Sequence, residues 1–269
     1  MEANNLPVTI IVAAHKAYPM PNDPMYLPVH VGAEGKLDDQ GRPLDLGYVK
    51  DNEGDHISGK NYGFCELTGL YWAWKNLDVR FLGLVHYRRY FGARKRILCY
   101  RELEPLLSSY SVFVPKKRRY YIESLYSHYA HTHYAEHLDI TREIVKEKYP
   151  EYLNTYDKVL RQTGGYMFNM FIMRRDYLDG YCRWLFDILF ELEKRVDSSS
   201  LSEFQARFFG RVSEILFNVW LEQMIRTGRI GRNEIRELGY IFIEKAAWVK
   251  KGSAFLKAKF LGKKYEESF

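Results

Sequence analysis

The chain has 269 residues, 46% of them apolar, which is enough for one large domain with a substantial core. A net charge of +6 favours anionic partners: nucleotides, acidic membrane surfaces or nucleic acid. Three widely spaced cysteines, Cys65, Cys99 and Cys182, exclude a CxxC motif and an even disulfide framework, no signal-peptide pattern opens the chain, and no apolar run is long enough to span a membrane, so a reducing cytoplasm is expected.

Residues Val8 to Ala13 form a β-branched run that predicts a first, central strand. It leads into Ala13, Ala14, His15, Lys16, Ala17 and Tyr18. Small residues there let a ligand approach the backbone, and Lys16 and Tyr18 are candidates to face it. The junction carries neither GxGxxG nor GxxxxGK[ST], so it is neither a dinucleotide fingerprint nor a P-loop. Residues 19–60 are rich in Pro, Gly, Asp and Asn, and Pro19, Pro21, Pro24 and Pro28 exclude a long helix. A loop of that length is usually functional. Its segment DNEGDHISGKN, Asp51 to Asn61, is open to three readings: metal ligation by Asp51, Asp55 and His56, nucleotide or sugar contacts, or a solvated turn. The spacing matches no calcium loop.

Asn61 to Leu77 predicts one helix, with Phe64, Leu67, Leu70, Tyr71 and Trp74 on its buried face and Glu66 and Lys75 as exceptions. Phe81 to Val85 is an apolar run that breaks into His86, Tyr87, Arg88, Arg89 and Tyr90. A buried strand ending this way delivers two arginines and a histidine to the sheet edge where α/β proteins bind ligands, and arginine suits phosphate oxygens. The plain alternative is solvated arginines and a packed histidine. A short helix over 101–109 and a strand over Ser111–Pro115 follow, then the basic run KKRRYY, Lys116 to Tyr121.

His128, His131, His133 and His137 cluster in a tyrosine-rich stretch. HYAEH is not HExxH, so zinc competes with a polar face near an acceptor and with plain surface. Residues 138–160 predict two helices divided at Pro150, and Tyr166–Met173 a strand holding Asn169, which must bond the backbone or a ligand. Asp176–Lys194 and Ser202–Arg226 predict amphipathic helices. On the second, Arg207, Arg211 and Glu214 occupy successive turns, as an internal salt bridge or as a carboxylate held beside an active site. A last strand is expected over 235–244. The tail, 246–269, mixes aromatic clusters with lysines and reads as an interfacial amphipathic helix or a disordered basic tail.

The segments IIVAAHK, PMPNDPMYLPVHVGAEGK, DNEGDHIS, CELTGLYWAWKN and LVHYRRYF, in that order, resemble a family of bacterial polysaccharide-biosynthesis glycosyltransferases long catalogued as a domain of unknown function. YMFNMFIM, CRWLFDILFELEKR and RFFGRVSEILFNVWL resemble its second half, so the resemblance covers residues 8–225. It implies an α/β fold, a GT-A-like Rossmann-type mixed central sheet flanked by helices with a helical C-terminal part, over 1–245. It also implies a nucleotide-sugar donor, with galactose or galactofuranose among the sugars of relatives, and a glycan or lipid-linked acceptor. Capsule, exopolysaccharide and O-antigen synthesis are the settings of the family. The Asp-x-Asp of ordinary GT-A enzymes is absent from this sequence, so no divalent metal is expected, with Arg88 and Arg89 and either Lys16 or Lys60 neutralising the diphosphate of a UDP-sugar.

On this reading Ala13, Ala14, His15, Lys16 and Tyr18 hold the nucleotide with Asp55, Ile57 and Lys60. His86, Tyr87, Arg88 and Arg89 hold diphosphate and sugar. Glu214, Asp55 and His86 are candidate bases, and Asn169, Met170, His131 and His133 candidate acceptor contacts. The expected location is the inner face of the cell membrane, reached through the tail. The rival class is a non-catalytic nucleic-acid or glycan-binding module, against which the basic residues are scattered and carry no RNA-binding signature.

Overall fold

The structure is a computed structural model that describes residues 6–199 and 201–243. The tail expected over 246–269 lies outside the described residues. The strands are β1 (Val8–Ala14), β2 (Tyr26–His30), β3 (Val49–Lys50), β4 (Phe81–His86), β5 (Arg89–Ala93), β6 (Arg96–Ile97), β7 (Val112–Pro115), β8 (Arg118–Arg119), β9 (Gly164–Gly165), β10 (Phe171–Arg174), β11 (Ile235–Leu238) and β12 (Tyr240–Phe242). The α-helices are α1 (Asn61–Phe64), α2 (Leu67–Asn76), α3 (Tyr100–Leu103), α4 (Leu125–Thr132), α5 (Glu136–Lys148), α6 (Leu153–Leu160), α7 (Arg175–Arg195), α8 (Glu203–Ala206) and α9 (Phe208–Arg226).

The chain divides into two compact units. The first takes in the chain to Lys116, Asn169–Cys182 and Gly231–Ile243, and holds the large sheet. Its strand order is β11-β7-β10-β4-β1-β2-β3, and β10 runs antiparallel to both its neighbours. The other pairs on that path are parallel, so this is the mixed α/β sheet that the family resemblance implies. β1 and β4 are buried along nearly their whole length, as central strands covered on both faces must be. α2 packs on the sheet through Gly69, where a Cβ would sit 2.7 Å from Val31.

β2 is the strand that proline concealed. Pro28 lies opposite Val12 of β1. Val31 N–H donates to Ala14, 3.0 Å, so by alternation Val29 and Leu27 present their N–H groups to β1 and Pro28 faces outward. β3 pairs only with Val29 and His30, so no donor is missed at Pro28.

The second unit comprises Lys117–Phe168 and Arg183–Ile230 among the described residues. It is helical, with one two-stranded ribbon, β8 against β9. Its core includes Trp184 stacked on Tyr152, with centroids 4.9 Å apart, and the apolar side of α9. α7 starts in the first unit, and its residues from Arg183 on belong to the second.

Two predicted helices are interrupted. Asn61–Leu77 is interrupted at Cys65, whose φ is +52. There the Asn61 amide donates to the Cys65 carbonyl, 2.7 Å, and to Thr68 Oγ1, 3.1 Å. Ser202–Arg226 is interrupted at Arg207, with Ser202 capping α8 by accepting from Gln205 N–H.

Candidate functional site

β1 has β2 on one side and β4 on the other, so the strand order reverses at it. Ligands of open α/β sheets bind at the carboxyl ends of strands at such a reversal. The register sets Ala13 beside His86 and Ala14 beside His30 at that edge. Beyond it, the chain from β1 and the turn from β4 to β5 meet on one aromatic ring, the buried Tyr87.

Tyr87 N–H donates to the Ala13 carbonyl, 3.2 Å. The edges of His15 and Tyr18 meet its ring at 5.3 and 4.8 Å, and His86 lies tilted against it at 4.3 Å. Lys16 Nζ is 5.7 Å from the ring and the Arg88 guanidinium 5.3 Å. Tyr18 is held from behind by Tyr48, whose hydroxyl accepts from Tyr18 N–H at 2.9 Å and donates to its carbonyl at 2.8 Å. The turn is tight, since His86 pairs directly with Arg89 and Arg88 N–H reaches His86 Nδ1 at 3.3 Å. That contact leaves the neutral ring's proton on Nε2. β12 lies along β5, with Phe242 under the Arg89 guanidinium at 4.8 Å and Ile243 N–H on the Arg88 carbonyl at 3.0 Å.

The structure thus brings His15, Lys16, Tyr18, His86, Tyr87, Arg88 and Arg89 together. His86 shows the resulting field: burial, then Arg89, Arg88 and His15, push its pKa down to about 3. It is neutral at pH 7, and an anion beside it would reverse the arginine contribution.

The loop carrying Ile57 and Lys60 is built on Asp51, which is fully buried. Its carboxylate accepts from Gly32 N–H at 2.9 Å, Ala33 N–H at 3.1 Å, Thr68 Oγ1 at 2.6 Å and Ser58 Oγ. Gly32 has φ +70, and a Cβ there would fall 2.5 Å from the Asn61 side chain. Lys60 N–H closes a turn on the Ile57 carbonyl, 2.9 Å. Asp51 is therefore the keystone of this loop. Asp55 is an exposed neighbour of α2: it accepts from Tyr71 OH at 3.1 Å, faces Lys75 at 3.7 Å, and its backbone is held by the Asn76 amide. Those partners lie along α2 toward its C-terminal end, away from Glu66 at its start.

Glu66 is the acidic residue that the helix break presents at this edge. α2 returns the chain from the carboxyl ends of β2 and β3 to the start of β4, so its first turn sits at the same edge as His86. Asn169 Nδ2 donates to Glu66 Oε1 at 2.7 Å. Antiparallel pairing of Phe171 with Leu84 brings the entry to β10 beside the end of β4, and Asn169 and the buried Met170 are the residues that enter. Cys65 and Asn169 both have positive φ, at +52 and +51. Each such residue costs of order 1–3 kcal/mol, and such strain concentrates at ligand sites.

Glu214, His131 and His133 belong to the second unit. The Glu214 carbonyl accepts from Asn218 Nδ2 at 2.7 Å, and Asn218 also bonds both backbone groups of Tyr166. His131 and His128 bracket the buried Glu123, at 2.6 and 2.9 Å. His133 is buried on Gln205 Oε1 at 3.1 Å, and burial and Arg211 lower its pKa to about 3. The two histidines proposed together as acceptor contacts thus serve different internal partners. Among the described residues, no group of three or more His, Cys, Asp or Glu side chains could hold a metal ion.

Sequence reasoning passed over Tyr48 and Phe242 and treated Asp51 only as a possible metal ligand. Glu66 stood out only as polar on an apolar helix.

Residues 9–225 match the family described as a domain of unknown function, DUF4422, and the chain belongs to it. No curated protein matches it. A solved structure, described as the apo form of the bifunctional glycosyltransferase WbbM, is similar at 26% identity with a TM-score of 0.78. That similarity covers 88% of this chain and 45% of WbbM, so this chain spans less than half of that protein's length. The shared architecture is the GT-A-like mixed sheet with flanking helices.

Proposed function

We propose that this protein is a metal-independent glycosyltransferase that moves a sugar from a UDP-sugar to a glycan or lipid-linked oligosaccharide in bacterial surface polysaccharide synthesis. The supporting observation is the pair of cations Lys16 and Arg88 at Tyr87, with Arg89 beside His86, at the β1/β4 edge where this sheet class takes nucleotides. Likeness to a bifunctional glycosyltransferase supports the same class. Galactose, in pyranose or furanose form, is the sugar the family resemblance favours.

Ala13 and Ala14 leave room for the nucleotide beside the strand end, and Tyr18 backs it. Arg88 and Arg89 offer forked donors to the diphosphate, and Lys16 adds a point charge. They stabilise charge as it develops on the departing UDP, the role a divalent cation plays in other transferases. His86, neutral, offers Nε2–H to the diphosphate or the sugar. Glu66 serves as the general base, its carboxylate oriented by Asn169. The acceptor hydroxyl oxygen bonds to the anomeric carbon, its proton passes to Glu66, and the bond from that carbon to the phosphate oxygen breaks with its electron pair leaving on UDP. This displacement inverts the anomeric centre.

The test is incubation of the full chain with UDP-galactopyranose or UDP-galactofuranose and lipid-linked acceptor, followed by mass spectrometry of the acceptor. Addition of one hexose with UDP release is expected. Glu66→Gln lowers turnover by roughly 100- to 10,000-fold, the ordinary range for a general base, and leaves UDP affinity unchanged. Absence of both transfer and UDP binding would reject the transferase reading. Normal turnover in Glu66→Gln would reject only the base.

A further inference from the structure

Two large apolar side chains stand out from the surface of the second unit. Tyr121 is 82% and Ile122 86% exposed, the highest values among the exposed large hydrophobics of the described residues. They follow Lys116, Lys117, Arg118 and Arg119, and no carboxylate lies between Lys116 and Ile122. Glu123, next in the chain, is buried between His128 and His131.

The backbone is bent to expose them. Ile122 N–H donates to the Tyr120 carbonyl at 2.7 Å across Tyr121, whose φ is +60. This is a γ-turn in its rare, strained form. The base beneath it is fixed on both sides. Tyr120 N–H donates to Thr163 at 2.7 Å and Leu125 N–H to Gln162 at 2.8 Å. Arg118 and Arg119 pair with Gly165 and Gly164, and a Cβ at Gly164 would meet the Arg118 carbonyl at 2.6 Å. Tyr120 stacks on His128 with centroids 3.9 Å apart, and Arg118 lies over Tyr120 at 5.0 Å. Above that base the two apolar side chains of the tip stay in water, and the strained backbone is retained there.

We infer that the Lys116–Ile122 loop is a membrane-docking element that inserts Tyr121 and Ile122 among the headgroups of an anionic bilayer. Tyrosine suits that interface, with its ring toward the acyl chains and its hydroxyl in the headgroup layer. Isoleucine favours lipid over a glycan, since it offers a sugar no hydrogen bond. Lys116, Lys117 and Arg119 are exposed and supply the charge complement to anionic lipid. This surface lies in the described residues, apart from the basic tail, and stands independently of the transferase reading.

The test is flotation of the full chain with phosphatidylcholine vesicles containing about one part in three phosphatidylglycerol, and with phosphatidylcholine alone. Wild type floats with the anionic vesicles and weakly with the neutral ones. Tyr121→Gly with Ile122→Ser weakens anionic-vesicle binding by about tenfold, while the melting temperature is unchanged or raised because glycine relieves the positive φ. Lys117→Glu with Arg119→Glu loses anionic-vesicle binding and leaves the neutral-vesicle result unchanged. Binding of the Gly/Ser variant equal to wild type would overturn the proposal, as would equal wild-type binding to both vesicle types or no wild-type binding at all. A Gly/Ser variant that floats normally but no longer modifies a soluble acceptor would make the loop an acceptor contact instead.

Discussion

Replacing Asp51 with asparagine keeps the shape of the side chain and removes its charge. In the native loop each carboxylate oxygen takes one backbone N–H and one hydroxyl: Gly32 with Thr68, and Ala33 with Ser58. Asparagine keeps one oxygen and turns an amide NH2 toward the other pair. The hydroxyl of that pair can rotate to accept, but its backbone N–H cannot. One buried donor is left unsatisfied, at about 1–3 kcal/mol, and the remaining bonds lose charge assistance worth about 1 kcal/mol together. The expected destabilisation is therefore about 2–4 kcal/mol by urea unfolding, read as a lower midpoint at constant slope. Asp55→Asn is the internal control, because that carboxylate is exposed and its ion pair with Lys75 spans 3.7 Å. It should change stability by no more than about 0.5 kcal/mol. Equal effects of the two substitutions, or an Asp51→Asn effect below about 0.5 kcal/mol, would refute the keystone role of Asp51.

Other consequences can be checked with the same protein. Arg88→Ala should weaken UDP binding by roughly 10- to 100-fold, the range for a lost charge-assisted contact, and reduce its salt dependence in calorimetry; unchanged affinity would remove Arg88 from the site. Binding of a UDP-sugar should tighten as pH falls toward about 3, because the bound anion offsets the arginine contribution, raises the pKa of His86 above its free value of about 3 and lets the complex take up the extra proton there; a flat profile, or a profile unaltered in His86→Gln, would contradict this. Burial and Arg211 hold His133 at about 3 and His137 at about 4, below the unfolded value near 6.5. The unfolded chain therefore binds more protons between those limits, so their contribution is intact above pH 6.5 and is lost as pH falls. At pH 5 the loss is roughly 2 kcal/mol for each histidine, and His133→Gln should flatten the fall in melting temperature.

The parts of the site that were legible in the sequence are those coded by a strand ending in charge. Phe81–Val85 followed by His-Tyr-Arg-Arg located the edge, and Val8–Ala13 located its partner strand, because buried parallel strands leave continuous apolar runs. Long amphipathic helices such as α7 were equally plain. β2 was hidden because Pro28 demotes a strand unless one knows that its missing N–H faces away from β1. The break at Cys65 was hidden for a different reason: helical periodicity continues through it, and the interruption is imposed by Asn61, Thr68 and Asp51 acting through side chains. Glu66 became meaningful only when that break and the left-handed Asn169 set the two side chains face to face. Four clustered histidines were open to zinc, to a polar face near an acceptor or to plain surface, although their spacing is not HExxH. In the folded chain His128 and His131 share Glu123, His133 bonds Gln205 and His137 bonds Tyr129.

The most direct test of the central claim is thermal stabilisation of the full chain by UDP, UDP-galactopyranose and UDP-galactofuranose, each with EDTA and with Mn²⁺. A ligand present at 100 times its dissociation constant adds about 2.7 kcal/mol to the native state, which is easily seen as a higher melting temperature. A UDP-selective shift of equal size in EDTA and in Mn²⁺, reduced to about half or less in Arg88→Ala, is the predicted result. A shift that requires Mn²⁺, or none with any uridine nucleotide, would contradict the account.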